Sequence, residues 1–61
     1  MIFVSYVKSY KVYNYFDNII LDEHIESGID IIRIEEILDS KFSVIQCDIK
    51  VKCKIINWKV L

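Results

Sequence analysis

The sequence predicts a small α+β domain, an antiparallel sheet of three to four strands with one helix near residues 28–40 between its halves. Three observations carry that prediction. Within a strand read over 44–55, residues 45–55 alternate apolar and polar side chains without a break, a period of two that has no helical reading. Residues 2–16 are rich in β-branched and aromatic side chains, which suit a pleated, half-buried surface. Between them, Ser27-Gly28-Ile29-Asp30 has capping-box spacing and leads into apolar residues at helical intervals. An all-β meander is the alternative architecture, because the helical segment is crowded with isoleucine, a strand former.

In chain order, residues 2–7 and 10–16 read as two strands, with Lys8-Ser9 as the bend between them. Residues 17–28 are ambiguous. Asp17 could cap a short helix that Gly28 closes, or Asp17-Asn18 could lead into a short strand over 18–22, and the β-rich Ile19-Ile20-Leu21 favours the strand. In the helix, Ile31, Ile34, Ile37, Leu38 and Phe42 share one broad face at 100° per residue, while Ile29 and Ile32 fall off it and are candidates for a partner surface.

The last segment is the long C-terminal strand. Ile45, Cys47, Ile49, Val51, Cys53 and Ile55 occupy one parity, and Gln46, Asp48, Lys50, Lys52 and Lys54 the other. The parity then slips at Ile55-Ile56, so that Ile56, Trp58 and Val60 continue the apolar register. A slip of one residue within an extended run is the signature of a β-bulge, which would re-aim Trp58.

The chain is 61 residues long and 54% hydrophobic. Residues 1–61 form a single domain, and one of this size buries only about 60% of the surface exposed by its unfolded chain. More apolar side chains are present than one thin core can enclose, and a second copy is the economical cover, so a homodimer is expected. A strand over 44–55 would be about 40 Å long, which points to the second subunit lying against it or against the bulge.

The net charge is −1, so no global field would steer the chain toward phosphate or lipid. No apolar run approaches the ~18 residues needed to span a bilayer, and residues 1–8 lack the flanks of a signal peptide. The cytoplasm is the expected compartment, with no membrane partner. Cys47 and Cys53, about 20 Å apart if on one strand, are too distant to bridge and read as reduced, buried hydrophobes. Ile and Lys dominate while Ala, Pro and Thr are absent, the bias of an AT-rich gene such as phages and mobile elements of low-GC bacteria carry.

The chemistry-bearing inventory is small. With one His, one Arg and one Gly, no catalytic triad, phosphate-cradling loop or dinucleotide fingerprint can be assembled. The cluster Asp22-Glu23-His24-Ile25-Glu26 is the one candidate metal or acid–base site, and it has too few nitrogen or sulfur ligands for zinc. No catalytic residue, metal or cofactor is therefore expected.

The leading expectation is a small non-enzymatic protein-binding module, a phage or mobile-element protein that inhibits a host protein, such as a defence component, as a homodimer. Its interface candidates are Tyr10, Tyr13, Tyr15, Ile29, Ile32 and Trp58, residues of the kinds that anchor binding hot spots. The alternative is a nucleic-acid-binding regulator that uses the Lys50/Lys52/Lys54 strand face with Lys59, with aromatic rings as stacking platforms. Against the alternative, the acidic stretch 17–36 would cancel the field of those lysines.

Overall fold

In the computed structural model, which describes residues 1–44 and 48–61, the chain runs β1 (Ile2–Tyr10), β2 (Tyr13–Leu21), α1 (Gly28–Phe42) and β3 (Lys52–Val60). The three strands form one antiparallel sheet in the order β2-β1-β3, and α1 packs beside β3. One helix with a three-stranded antiparallel sheet is the α+β class the sequence predicts.

The first hairpin turns later than expected. Tyr10 pairs with Tyr13, and Lys11-Val12 form the two-residue connection, with Lys11 at φ 54. Lys8 and Ser9 stay in the sheet because each is held there. The Lys8 ammonium lies 4.3 Å from the centroid of the Phe42 ring, a cation–π contact. The Ser9 hydroxyl donates across the strands to Asn14 Oδ1 at 2.7 Å. Residues 18–21 are the second half of β2, the strand reading of the ambiguous segment.

Ser27 stands at the N-cap of α1, but its hydroxyl makes no capping bond. Asp30 reaches back further than a capping box requires, and its Oδ2 accepts from the Glu26 N–H at 2.9 Å. That backbone bond holds the Asp30 carboxyl below the usual range. Ile34 and Leu38 are fully buried, with Ile31 and Phe42 packed at the edge of the same cluster. Ile37, placed on that face by the helical wheel, is 40% exposed, because α1 lies to one side of the sheet. The core is completed by Ile2, Val4 and Tyr6 of β1, by Ile25, and by Val51 and Cys53. Tyr6 stacks on Phe42 with ring centroids 5.9 Å apart.

The C-terminal strand occupies Lys52–Val60 rather than 44–55. Val44 and Ile49 instead pair with each other as an antiparallel bridge, with both bonds at 2.9 Å, and Asp48 takes φ 53. Val44 and Ile49 therefore do not lie along one extended strand with Lys52–Val60, and no strand of about 40 Å is formed. Ile45, Gln46 and Cys47 lie outside the described residues. Alternation sorts side chains by face but says nothing of direction. Strand length is set by the partner, and nine-residue β1 accommodates only Lys52–Val60. Ser43 secures the return, because its Oγ accepts from the Val51 N–H at 2.9 Å.

The bulge is where the parity slip put it. Tyr6 pairs with Ile55 and Ser5 with Asn57, leaving Ile56 as the extra residue. Beyond it Trp58 faces Val4 and Lys59 faces Phe3.

Candidate binding surfaces

Directly paired residues of an antiparallel sheet project from the same face, so the two registers sort the side chains. One face carries Ile2, Val4 and Tyr6 against α1. The other has no element over it among the described residues. Its central row is Phe3, Ser5, Val7 and Ser9. Ile20, Asn18, Phe16 and Asn14 flank this row on β2, and Lys59, Asn57, Lys54 and Lys52 flank it on β3.

The chemistry of this open face is uniform in one respect. It holds three lysines and no carboxylate. Of the chain's nine acidic residues, Asp17 sits on the opposite parity of β2. Asp22, Glu23 and Glu26 lie in the loop, Asp30, Glu35, Glu36 and Asp39 on α1, and Asp48 in the turn before β3. Lys54 and Lys59 form no ion pair among the described residues, while Lys52 Nζ stands 3.9 Å from Asp39 Oδ2 in a highly exposed position, where such a pair contributes little. Phe16 is 77% exposed between the lysines of β3 and the strand edge, and Phe3 is half-buried at the centre. The hydroxyls of Ser5 and Ser9 donate to the amide oxygens of Asn18 and Asn14 at 2.8 and 2.7 Å. These bonds fix the orientation of both asparagines and turn their NH2 groups away from the serines.

The bulge decides who belongs to this face. An unbroken strand would carry Trp58 here and Lys59 into the core. The extra residue at Ile56 reverses both. Lys50 precedes β3 and does not join the ladder. It lines a cleft of about 240 Å³ with Asp39, Ser40, Ser43, Val51 and Lys52. The lysine set is therefore Lys52, Lys54 and Lys59.

The two outer edges of the sheet differ. The outward N–H groups of β3 are engaged by side chains: Cys53 donates to Asp39 Oδ1, Ile55 to Glu35 Oε2 at 2.8 Å, and Trp58 to Asn57 Oδ1 at 2.9 Å. On β2, Asn18 donates to Asp17 Oδ1 at 2.8 Å. The pairing alternates, so Asn14, Phe16 and Ile20 also direct their N–H groups outward, and these have no partner among the described residues.

The interface candidates divide among three places. Tyr10, Tyr13 and Tyr15 share the helix-side parity at the hairpin end, with the Tyr13 and Tyr15 rings stacked at 6.4 Å and more than half exposed. Ile29 and Ile32 are exposed on the first turns of α1. Trp58 is half-buried against the core and is no free anchor. The acidic loop is likewise partitioned, with Glu23 Oε1 on Arg33 at 2.6 Å and His24 Nε2 on Glu26 at 2.8 Å. Among the described residues no three metal-ligating side chains converge. Cys53 is buried, and burial first, then the Asp39 carboxylate, push its thiol up to about 11.

Phe3, Phe16 and the Ser–Asn pairs were not legible as site residues. The signal was present in the shared parity of Phe3, Ser5, Val7 and Ser9, but assigning it to an open face needs the strand register. No protein-family model matches the chain, and no curated protein or solved structure matches it either.

Proposed function

We propose that the chain is a non-enzymatic protein of the cytoplasm that binds single-stranded nucleic acid on the open face of its sheet. The observation that supports this reading is the segregation of charge: Lys54 and Lys59 lie on a face whose own residues include no carboxylate, with Lys52 at its margin beside Asp39, although the chain as a whole is slightly acidic. The molecule measures 34 × 19 × 18 Å. Of the α1 carboxylates, Glu35 and Asp39 approach β3 from the helix side, where they accept from the N–H groups of Ile55 and Cys53. They reduce the lysine field on that side, and Lys54 and Lys59 form no ion pair with them among the described residues. Phe16 and Phe3 supply ring faces on which bases stack, and the amides of Asn14, Asn18 and Asn57 can bond base edges. Aromatic, amide and ammonium groups together are the equipment of single-strand platforms.

The test is titration of a labelled oligonucleotide of roughly 12 nucleotides, as single-stranded DNA, RNA and duplex, at two salt concentrations. Three phosphate contacts give a salt slope of about −2, so affinity should fall roughly twentyfold between 50 and 200 mM salt. Lys54→Ala should flatten the slope to about −1.4. Phe16→Ala should weaken binding by about 1–3 kcal/mol without changing the slope. No binding at about 100 µM, or binding indifferent to salt and to both substitutions, would overturn the proposal.

A second reading keeps the protein-binding module, a phage or mobile-element inhibitor of a host protein. The exposed Tyr13–Tyr15 stack favours it, since paired tyrosines at a hairpin end are apt anchors. Tyr13→Ala and Tyr15→Ala should abolish capture of such a partner and leave oligonucleotide binding unchanged.

A further inference from the structure

The two edges of the sheet receive opposite treatment. Natural sheets blunt an exposed edge with lysine, proline, bulges or covering elements. The β3 edge has all its interior outward donors met by Asp39, Glu35 and Asn57, carries a bulge, and has α1 beside it. The β2 edge carries none of these devices. Its nine residues, Tyr13–Leu21, include no lysine, arginine or proline and a single carboxylate, Asp17. Six of them are more than a third exposed in an unbroken run from Tyr13 to Asn18, and Ile20 follows at 56%.

We propose that the β2 edge pairs with the β2 edge of a second copy of this chain, antiparallel about a two-fold axis at Asn18. The two three-stranded sheets then become one of six strands. The occupant is argued from the side chains, because an isologous contact requires the strand to complement itself. An axis at Asp17 would set two carboxylates face to face, a destabilising pair. Moving the axis one residue to Asn18 sets Phe16 against Ile20 on the open face and Tyr15 against Leu21 on the other. It places Asp17 opposite Ile19 and Asn18 opposite its own copy. In that register the free N–H groups of Phe16 and Ile20 meet carbonyls of the facing strand. Each Asn18 N–H exchanges the Asp17 carboxylate for the other copy's Asn18 carbonyl. The pairing also covers Phe16 and Ile20, two of the largest exposed apolar side chains.

Such an axis is perpendicular to the sheet, so the two open faces lie on the same side and form one platform, with the lysines of β3 at both outer margins. The contact is a single strand edge, at the small end of specific interfaces, and its dissociation constant should be micromolar.

Sedimentation equilibrium of the full chain without nucleic acid tests this directly. At about 100 µM the mass should be twice the 7.3 kDa of the chain. Ile20→Pro removes an outward N–H and no bond to β1, a position where edge strands admit proline. It should reduce the mass to that of one chain while circular dichroism stays unchanged. Asn18→Asp, which sets two carboxylates face to face across the axis and keeps an acceptor for the Ser5 hydroxyl, should do the same if the proline variant fails to fold. A wild-type chain that is monomeric at this concentration, or folded Ile20→Pro and Asn18→Asp chains that remain dimeric, would overturn the proposal. Oligonucleotide binding is titrated separately on the same chains, so failure of the dimer and failure of the binding reading are told apart.

Discussion

Deleting single residues on either side of the bulge separates its role from that of the strands it joins. Removing Ile56 brings Ile55 and Asn57 together. Tyr6–Ile55, Ser5–Asn57, Val4–Trp58 and Phe3–Lys59 are all existing pairs, so the shortened strand runs regularly along β1 with every remaining side chain on its present face. The loss is one side chain that is 57% exposed, and stability should change by no more than about 1 kcal/mol. Removing Ser5 from the opposite strand is an equally small deletion with the reverse consequence. Val4 and Ile2, at 0% and 1% exposure, would turn to the open face, because a one-residue slip flips every side chain. Exposing both costs about 1.5–3 kcal/mol each. A 61-residue domain has a total stability of only about 3–9 kcal/mol.

The assay is urea denaturation followed by Trp58 fluorescence, with oligonucleotide binding measured on the folded variants. The chain lacking Ile56 should unfold near the wild-type midpoint, keep the emission of a half-buried indole and retain binding through Lys59. The chain lacking Ser5 should be largely unfolded in buffer. Equal destabilisation of the two, or a solvent-exposed Trp58 in the Ile56 deletion, would refute the assignment of Ile56 as a removable extra residue.

Two further perturbations address the β3 side. With its thiol pushed up to about 11, Cys53 holds about a hundredfold less thiolate at pH 8 than a thiol of pKa 9. In a Cys47→Ser background its alkylation should be slower by that factor until urea unfolds the chain. The thiol's folded pKa lies above its unfolded one, so the folded state holds the proton longer. Its contribution to stability is complete below about pH 9, the unfolded value, and is lost as pH rises toward 11. The fall should be of order 2 kcal/mol, and Cys53→Val should remove that part of the alkaline loss. At the acid end, Asp30 is held low by the Glu26 backbone N–H. Its contribution is present above the ordinary carboxylate pKa and lost as pH falls through the lowered value, so Asp30→Asn should destabilise at neutral pH and be nearly silent in strong acid. Replacing Glu35 and Asp39 together with Ala leaves the outward N–H groups of Ile55 and Cys53 without acceptors. Stability should drop by about 2–4 kcal/mol, and light scattering should detect association through the opened β3 edge.

The bulge and the helix were legible because each rests on a local periodicity that survives folding. The slip at Ile55-Ile56 is a change of parity, and any strand built from those residues must express it. The first turn was misplaced for the opposite reason. Lys8 and Ser9 are polar, and what keeps them in the strand is Phe42 and Asn14, distant in sequence. The strand over 44–55 does not form, on the same ground, since the pairing of Val44 with Ile49 is a contact that apolar–polar alternation does not encode. Propensity could not reveal that β1 has only nine residues to offer.

The candidate site is half legible in the sequence, and the other half depends on the strand register. Lys52, Lys54 and Lys59 were visible as cations, but the nearly balanced net charge spoke against their having any collective effect. Net charge sums over the molecule, whereas a binding strand meets one face. Alternation in β3, shifted by the bulge at Ile56, sends Lys52, Lys54 and Lys59 to one face, and the carboxylates of α1 lie on the helix side. Glu35 and Asp39 then serve as edge acceptors for β3. Both are engaged on the β3 edge, where they stop that strand from recruiting another, and β2, whose outward N–H groups at Asn14, Phe16 and Ile20 have no such acceptors among the described residues, is left as the edge able to extend the sheet.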